Sequence, residues 1–228
     1  MKRISVLVIF LCVHCVLFSG QKPSDSAPGP TQRIGPEVVW SPSTPVLSAI
    51  REKCTRGDLE NLSDCFLSEM KAADAPPQAM AFAKANSDKG LIFVRAFRKV
   101  GVVDIAYVEY PFRANEMEGV LLVNGDPGII DVDSQKFVAR ENFSANPTFT
   151  AQANKPPQII IWPGDRYHTD KPIAKSLESG QQSFVVDYIL RNGCHACAKI
   201  GTVSLTFTFD KDGKFNGVQA GQSTKQAE

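Results

Sequence analysis

The sequence predicts an α+β fold in which an N-terminal disulfide-tied helical hairpin packs on a mostly antiparallel β-sheet that ends in a β-meander. Two observations carry this prediction. Apolar residues recur at helical spacing in the first half of the mature chain, and from Leu91 onward they alternate at the period of a strand. The chain of 228 residues is 43% hydrophobic and 21% charged, as in ordinary globular proteins.

The first twenty residues have the layout of a secretory signal peptide. Lys2 and Arg3 precede an apolar run from Ile4 to Phe18, and small residues follow. The run is shorter than the roughly 20 residues that a membrane-spanning helix needs. We therefore expect a secreted or periplasmic protein with no stable membrane insertion after the signal is cleaved.

The remaining chain divides by composition. Pro, Ser and Gly dominate the segment after the signal, which predicts a flexible leader in which Val38, Val39 and Trp40 dock as a short edge strand. The expected parts are a signal peptide at 1–20, the leader at 21–44, a single α+β domain at 45–220 with a helical part at 45–86 and a sheet part at 90–220, and a disordered tail at 221–228.

Two apolar stripes define the helical hairpin. Each stripe contains a cysteine, and the two cysteines lie at corresponding points of two short helices, so a disulfide between the helices is expected. A third helix is expected after Asp74, which we take as its cap, with prolines in its first turn. The stripes consist of Val46, Leu47, Ile50 and Cys54 in the first helix, and Leu62, Cys65, Phe66 and Met70 in the second.

The sheet part begins with four short strands in two pairs. Turns are expected near Val100-Gly101 and at 124–128, which reads Asn-Gly-Asp-Pro-Gly. A short helix capped by Asp133 and a buried strand "QIIIW" follow, and residues 164–182 form a long polar connection. The last unit, "SFVVDYIL", "TVSLTFTFD" and "KFNGVQ", predicts an antiparallel meander with a turn at "DKDG".

Four cysteines remain after signal cleavage, and an exported chain meets an oxidising compartment. The local pairing joins Cys54 to Cys65 and Cys194 to Cys197. The second pair is also open to two other interpretations. It is a thiol–disulfide catalyst if a helix follows, but the residues that follow have strand periodicity. It is part of a zinc site if His195 and His168 complete the ligands, which export disfavours. A structural disulfide is preferred.

A short disulfide ring constrains the unfolded chain little, so its main effect is on the shape of the loop. That loop presents Asn192, His195 and Lys199 as candidate binding residues. The polar connection supplies further candidate contacts at Arg166, Tyr167 and His168. No catalytic motif, cofactor motif or metal-ligand spacing of a known kind occurs in the chain.

The segment from Phe184 to Gln219 resembles the bacterial periplasmic inhibitors of vertebrate-type lysozyme. The matching residues are Cys194, His195 and Cys197, followed by "TVSLTFTFDKDGKFNG". The resemblance implies a strand, a disulfide-closed loop whose histidine is offered to the enzyme's catalytic carboxylates, a strand and a turn. It covers under a fifth of the chain, and the cysteines of that family lie farther apart.

These observations leave three functional hypotheses. The first is an exported non-catalytic binding protein, in its sharpest form an inhibitor of a secreted hydrolase that presents the Cys194–Cys197 loop. The second is a thiol–disulfide oxidoreductase that uses the same two cysteines. The third is a structural envelope-associated protein. With a net charge of +1 and no basic run, nucleic acid is not the expected partner, whereas a protein in the extracytoplasmic space is.

Overall fold

Three layers make up the computed structural model: a layer of helices, a four-stranded sheet and a second sheet. The α+β prediction is confirmed, although the single predicted sheet is in fact two. The described residues belong to one unit, Gln32–Glu228. The structure describes residues 33–56, 61–114, 117–138, 159–161, 172–177, 179–221 and 224–225.

The helical layer contains α1 (Thr44–Thr55), α2 (Leu62–Ala72) and α3 (Pro77–Ala85). The predicted stripes face inward except at Val46, which is exposed, and the two helices of the hairpin are joined by the Cys54–Cys65 disulfide. The cap predicted at Asp74 is wrong. Asp74 has φ 55°, a left-handed conformation that Asp tolerates, and Pro76 directly precedes α3.

The first sheet is antiparallel, with strands in the order in which they occur in the chain. Both predicted turns are present. One face of this sheet packs on the helices and the other on the second sheet, so its two central strands are buried on both sides. The strands are β1 (Phe93–Arg98), β2 (Asp104–Glu109), β3 (Glu118–Val123) and β4 (Ile129–Asp131).

The second sheet contains the predicted meander. In the chain, the meander is preceded by the short helix α4 (Gln135–Val138) and by two short strands of the same sheet, β5 (Ile159–Ile160) and β6 (Ile173–Ser176). Both short strands pair with one edge of the long strand β7, and the last two strands pair with the far edge of β8. The remaining strands are β7 (Gln182–Asn192), β8 (Lys199–Phe209), β9 (Phe215–Ala220) and β10 (Thr224–Lys225).

Three segment predictions need correction. The leader at 21–44 is structured from residue 33: Trp40 is 6% exposed in the helical core, and Arg33 binds the Asp104 carboxylate. The polar connection at 164–182 contains strand β6, and the tail at 221–228 contains strand β10. The partners of Arg33 and of β10 are distant in sequence, so local composition gave no sign of them, whereas β6 forms a hairpin with the following strand β7.

The predicted signal peptide at 1–20 lies outside the described residues. Within the described part of the chain, no helix has both the length and the hydropathy to cross a membrane.

Direct contacts join the two sheets at several points. The Val103 N–H donates to Gln182 Oε1 at 2.8 Å, and Gln182 Nε2 donates to the Val103 carbonyl at 3.1 Å. Asp126, in the turn after β3, exchanges backbone hydrogen bonds with Gly213 and Phe215. A shared apolar core fills the space between the sheets, and it includes Ile105, Val120, Leu122, Phe184, Tyr188, Leu205 and Phe207.

Gln182 is 4% exposed, so the hydrogen bonds between its side-chain amide and the Val103 backbone are shielded from water. Gln182→Ala leaves a buried N–H and a buried carbonyl without these partners, and we expect the free energy of unfolding to fall by about 2–3 kcal/mol. Chemical denaturation measures this change. The matched control is Gln181→Ala at the exposed neighbour. Equal stability of the two variants would contradict the role of this contact.

A buried carboxylate lies at the boundary between the helices and the first sheet. Arg51 Nη2 donates to Glu109 Oε1 at 3.0 Å, and Arg95 Nη1 lies 3.9 Å from Glu109 Oε2. Burial raises the pKa of Glu109 above its ordinary 4.5, and the charges of Arg95 and Arg51 oppose this effect without cancelling it. The native protein therefore holds this proton more tightly than the unfolded chain does.

This pKa shift predicts a pH dependence of stability. The contribution of Glu109 is complete below its unfolded pKa and is lost as the pH rises through the higher native pKa. We expect the unfolding free energy of the parent protein minus that of Glu109→Gln to fall as the pH rises above about 4.5. Denaturation at a series of pH values measures the difference. Gln181→Ala, which touches no carboxylate, should give a flat difference curve.

Candidate functional site

The candidate site is the tip of the β7–β8 hairpin, residues 192–199. Buried and half-buried positions alternate along both strands almost up to the tip. Gly193 adopts φ 89°, a conformation open to glycine, and there the chain leaves β7. The Cys197 N–H donates to the Cys194 carbonyl at 3.0 Å, and the Asn192 N–H donates to the Ala198 carbonyl at 3.1 Å. The tip is thus a closed turn.

The Cys194–Cys197 disulfide lies across this turn, with Cα atoms 4.9 Å apart. The Cys54–Cys65 disulfide joins α1 to α2, with Cα atoms 5.7 Å apart. The predicted local pairing is therefore confirmed. Strand β8 begins at Lys199, two residues after Cys197, so the tip cysteines are not followed by a helix. The usual means of stabilising a catalytic thiolate is missing from this part of the described structure.

The tip is solvent-exposed and basic. Asn192, Cys194 and His195 are exposed, and Lys199 is half-buried. From Arg191 to Gly201 the sequence carries three basic side chains and no acidic one. The structure therefore brings the candidate binding residues together at one exposed end of the second sheet.

Arg191 is a tip residue that the sequence analysis did not select. Its Nη1 donates to the Cys197 carbonyl at 3.1 Å, so its guanidinium braces the loop from the strand below. A bulge in the ladder between Leu190 and Arg191 changes the register at this point. The available signal was an arginine placed at the last position before a glycine-containing loop, where the apolar alternation of β7 ends.

The structure does not test the candidate contacts predicted in the polar connection at 164–182. Arg166, Tyr167 and His168 lie outside the described residues, so their relation to the tip stays a prediction. Among the residues that are described, no group of three or more His, Cys, Asp and Glu side chains is arranged to hold a metal ion. "DKDG" forms a turn in which Asp210 Oδ1 accepts from the Asp212 and Lys214 N–H groups.

A second surface feature was not predicted. A groove of about 360 Å³ lies between α4 and the edge strand β9, lined by Phe137, Leu205, Phe215 and Val218. The signal in the sequence was the absence of charged residues from β9, because edge strands are usually protected by charge or proline. The groove lies next to the core and contains none of the tip residues.

Comparisons with known proteins give no relative: no protein family, curated protein or solved structure matches the chain. The resemblance to lysozyme inhibitors therefore rests on the residues from Phe184 to Gln219 alone.

The two disulfides are expected to differ in their contribution to stability. The loop-closure model gives about 2 kcal/mol for the ring closed at a separation of 3 residues and about 3 kcal/mol for the ring closed at 11. Cys54 is also 1% exposed, so its replacement leaves a cavity. Cys54→Ala with Cys65→Ala should thus destabilise the protein more than Cys194→Ala with Cys197→Ala. Denaturant titration of both double variants checks the order, and the reverse order would contradict it.

Proposed function

We propose that this is an exported, non-catalytic binding protein whose tip engages a protein partner, and that the partner is a secreted hydrolase which the protein inhibits. The single observation that supports this most strongly is the construction of the tip. It is exposed, yet a disulfide, two backbone hydrogen bonds and the Arg191 side chain fix its shape.

Fixing an exposed loop favours binding for a physical reason. Ordering a mobile loop on association costs conformational entropy, and a loop that is already ordered avoids that cost. The short ring contributes little to global stability, so stability alone gives a weak account of it. A disulfide that holds the tip loop in one shape for binding a partner is a better explanation.

The charge of the tip favours one class of partner. Arg191 and Lys199 are cationic, and no acidic residue lies between them in the sequence, which complements a carboxylate-lined cleft. Glycoside hydrolases carry a pair of catalytic carboxylates in such a cleft. The resemblance of the meander to inhibitors of vertebrate-type lysozyme supports the same class, so lysozyme is the first enzyme to test.

Export is part of the proposal and has two supports. The first twenty residues have the layout of a secretory signal, and the chain contains two disulfides, which persist in oxidising compartments. The thiol–disulfide enzyme hypothesis is weaker, because β8 rather than a helix follows Cys197.

The test is inhibition of vertebrate-type lysozyme acting on peptidoglycan, together with calorimetric titration of the two proteins. We expect dose-dependent inhibition by the oxidised protein lacking residues 1–20. His195→Ala should weaken binding by about tenfold or more, because it removes an exposed side chain from the centre of the contact. The double substitution Cys194→Ser with Cys197→Ser should weaken binding by at least as much.

The matched control is Lys175→Ala. Lys175 is an exposed cation on β6, and it pairs with Ser183 at the end of the sheet far from the tip, so this variant should bind normally. Absence of both binding and inhibition at concentrations on the order of 100 μM would overturn the assignment to lysozyme. Equal weakening by Lys175→Ala would show that overall charge, and not the tip, carries the interaction.

A further inference from the structure

The two disulfides lie in opposite environments. Cys54 is 1% exposed and Cys65 is half-buried, and both belong to the apolar core beneath the helices. Cys194 is exposed at the tip, and Cys197 is half-buried beside it. A dissolved thiol must reach a sulfur atom in order to exchange with it, so the tip disulfide, which contains the exposed residue Cys194, is expected to react first in the folded protein.

Exposure also decides which sulfur is attacked. Cys194 is exposed and Cys197 is half-buried, so the reagent is expected to attack Cys194 Sγ, and Cys197 then carries the leaving sulfur.

We infer that the Cys194–Cys197 disulfide is a redox-sensitive latch: a dithiol opens it selectively, and the tip then loses its fixed shape while the hairpin and the helical layer keep theirs. The consequence for partner binding rests on the proposed function, whereas the selective opening does not. Reduction would thereby release a partner without unfolding the protein.

The exchange balances in two steps. A thiolate of the dithiol bonds to Cys194 Sγ, and the Cys194–Cys197 bond breaks with its electron pair on Cys197 Sγ. The second sulfur of the reagent then attacks the first, which closes a cyclic disulfide and releases Cys194 as a thiolate. The dithiol loses two electrons, the protein disulfide gains them, and the two protons of the dithiol go to Cys194 and Cys197.

Opening is expected to remain local. The β7–β8 ladder runs from the Gln182–Phe209 pair, past a bulge, to the Arg191–Lys199 pair, and its inward side chains belong to the core between the sheets. On its other side, the end of β7 pairs with β5. Beyond the ladder, the turn is held by the disulfide, by the Arg191 contact and by the two backbone hydrogen bonds described above. Loss of the disulfide therefore frees residues 193–198 first.

The experiment treats the folded protein with dithiothreitol, quenches samples with iodoacetamide at intervals and maps the alkylated cysteines by mass spectrometry. We expect Cys194 and Cys197 to be labelled at least about tenfold faster than Cys54 and Cys65. Amide hydrogen exchange on the reduced protein should accelerate about tenfold or more at Cys197 and stay unchanged at the ladder residues Phe184 to Tyr188. Equal labelling rates, an unreactive tip, or loss of protection in the ladder would each overturn the latch.

The control is the double variant Cys194→Ser with Cys197→Ser, whose tip should exchange as fast as the reduced tip and ignore the reagent. A binding arm completes the test, in which reduced protein should bind vertebrate-type lysozyme at least about tenfold more weakly than oxidised protein. If the oxidised protein fails to bind, the proposed function is wrong and the labelling still decides the latch. If reduced and oxidised protein bind equally, the regulatory role is wrong.

Discussion

The reciprocal hydrogen bonds between the Gln182 side chain and the Val103 backbone fix one sheet upon the other. They lie at the first residue of β7, and Gly101 is required beside them because a Cβ there would meet Gln182 Nε2 at 2.7 Å. With the start of β7 fixed, its two-residue period decides which side chains enter the core. The same strand then rises through ten residues, roughly 33 Å, to the tip. The position of the site thus depends on a contact at the far end of the strand.

The sequence predicted the parts of this fold that depend on local pattern. The helical stripes, the strands from Leu91 onward, the meander and the two disulfides each involve residues close in the chain. The division into two sheets was not predictable in this way. Leu121 faces the helices and Leu122 faces the second sheet, and both are equally apolar. Alternation therefore disappears wherever both faces of a strand are covered, and the identity of each layer is a long-range property.

Two of the errors, at Arg33 and in the C-terminal tail, share one physical cause. Arg33 stands in a segment with the composition of a linker, yet its guanidinium binds Asp104, 71 positions away. Strand β10 likewise owes its order to pairing with β8. The candidate site was more predictable, because a disulfide of separation 3 and an exposed hairpin tip are set by adjacent residues. What the sequence did not reveal is the brace from Arg191, which depends on a local change of register in the ladder.

The distance between the tip and the contacts that join the sheets affects how the sequence of such a protein can change during evolution. The residues that hold the layers together lie at one end of β7, and the residues that meet solvent lie at the other. Substitutions at positions such as His195 and Ala196 leave the core between the sheets untouched. The tip sequence can therefore change during evolution at little risk to folding. The hairpin tip can vary in sequence while the core between the sheets stays the same.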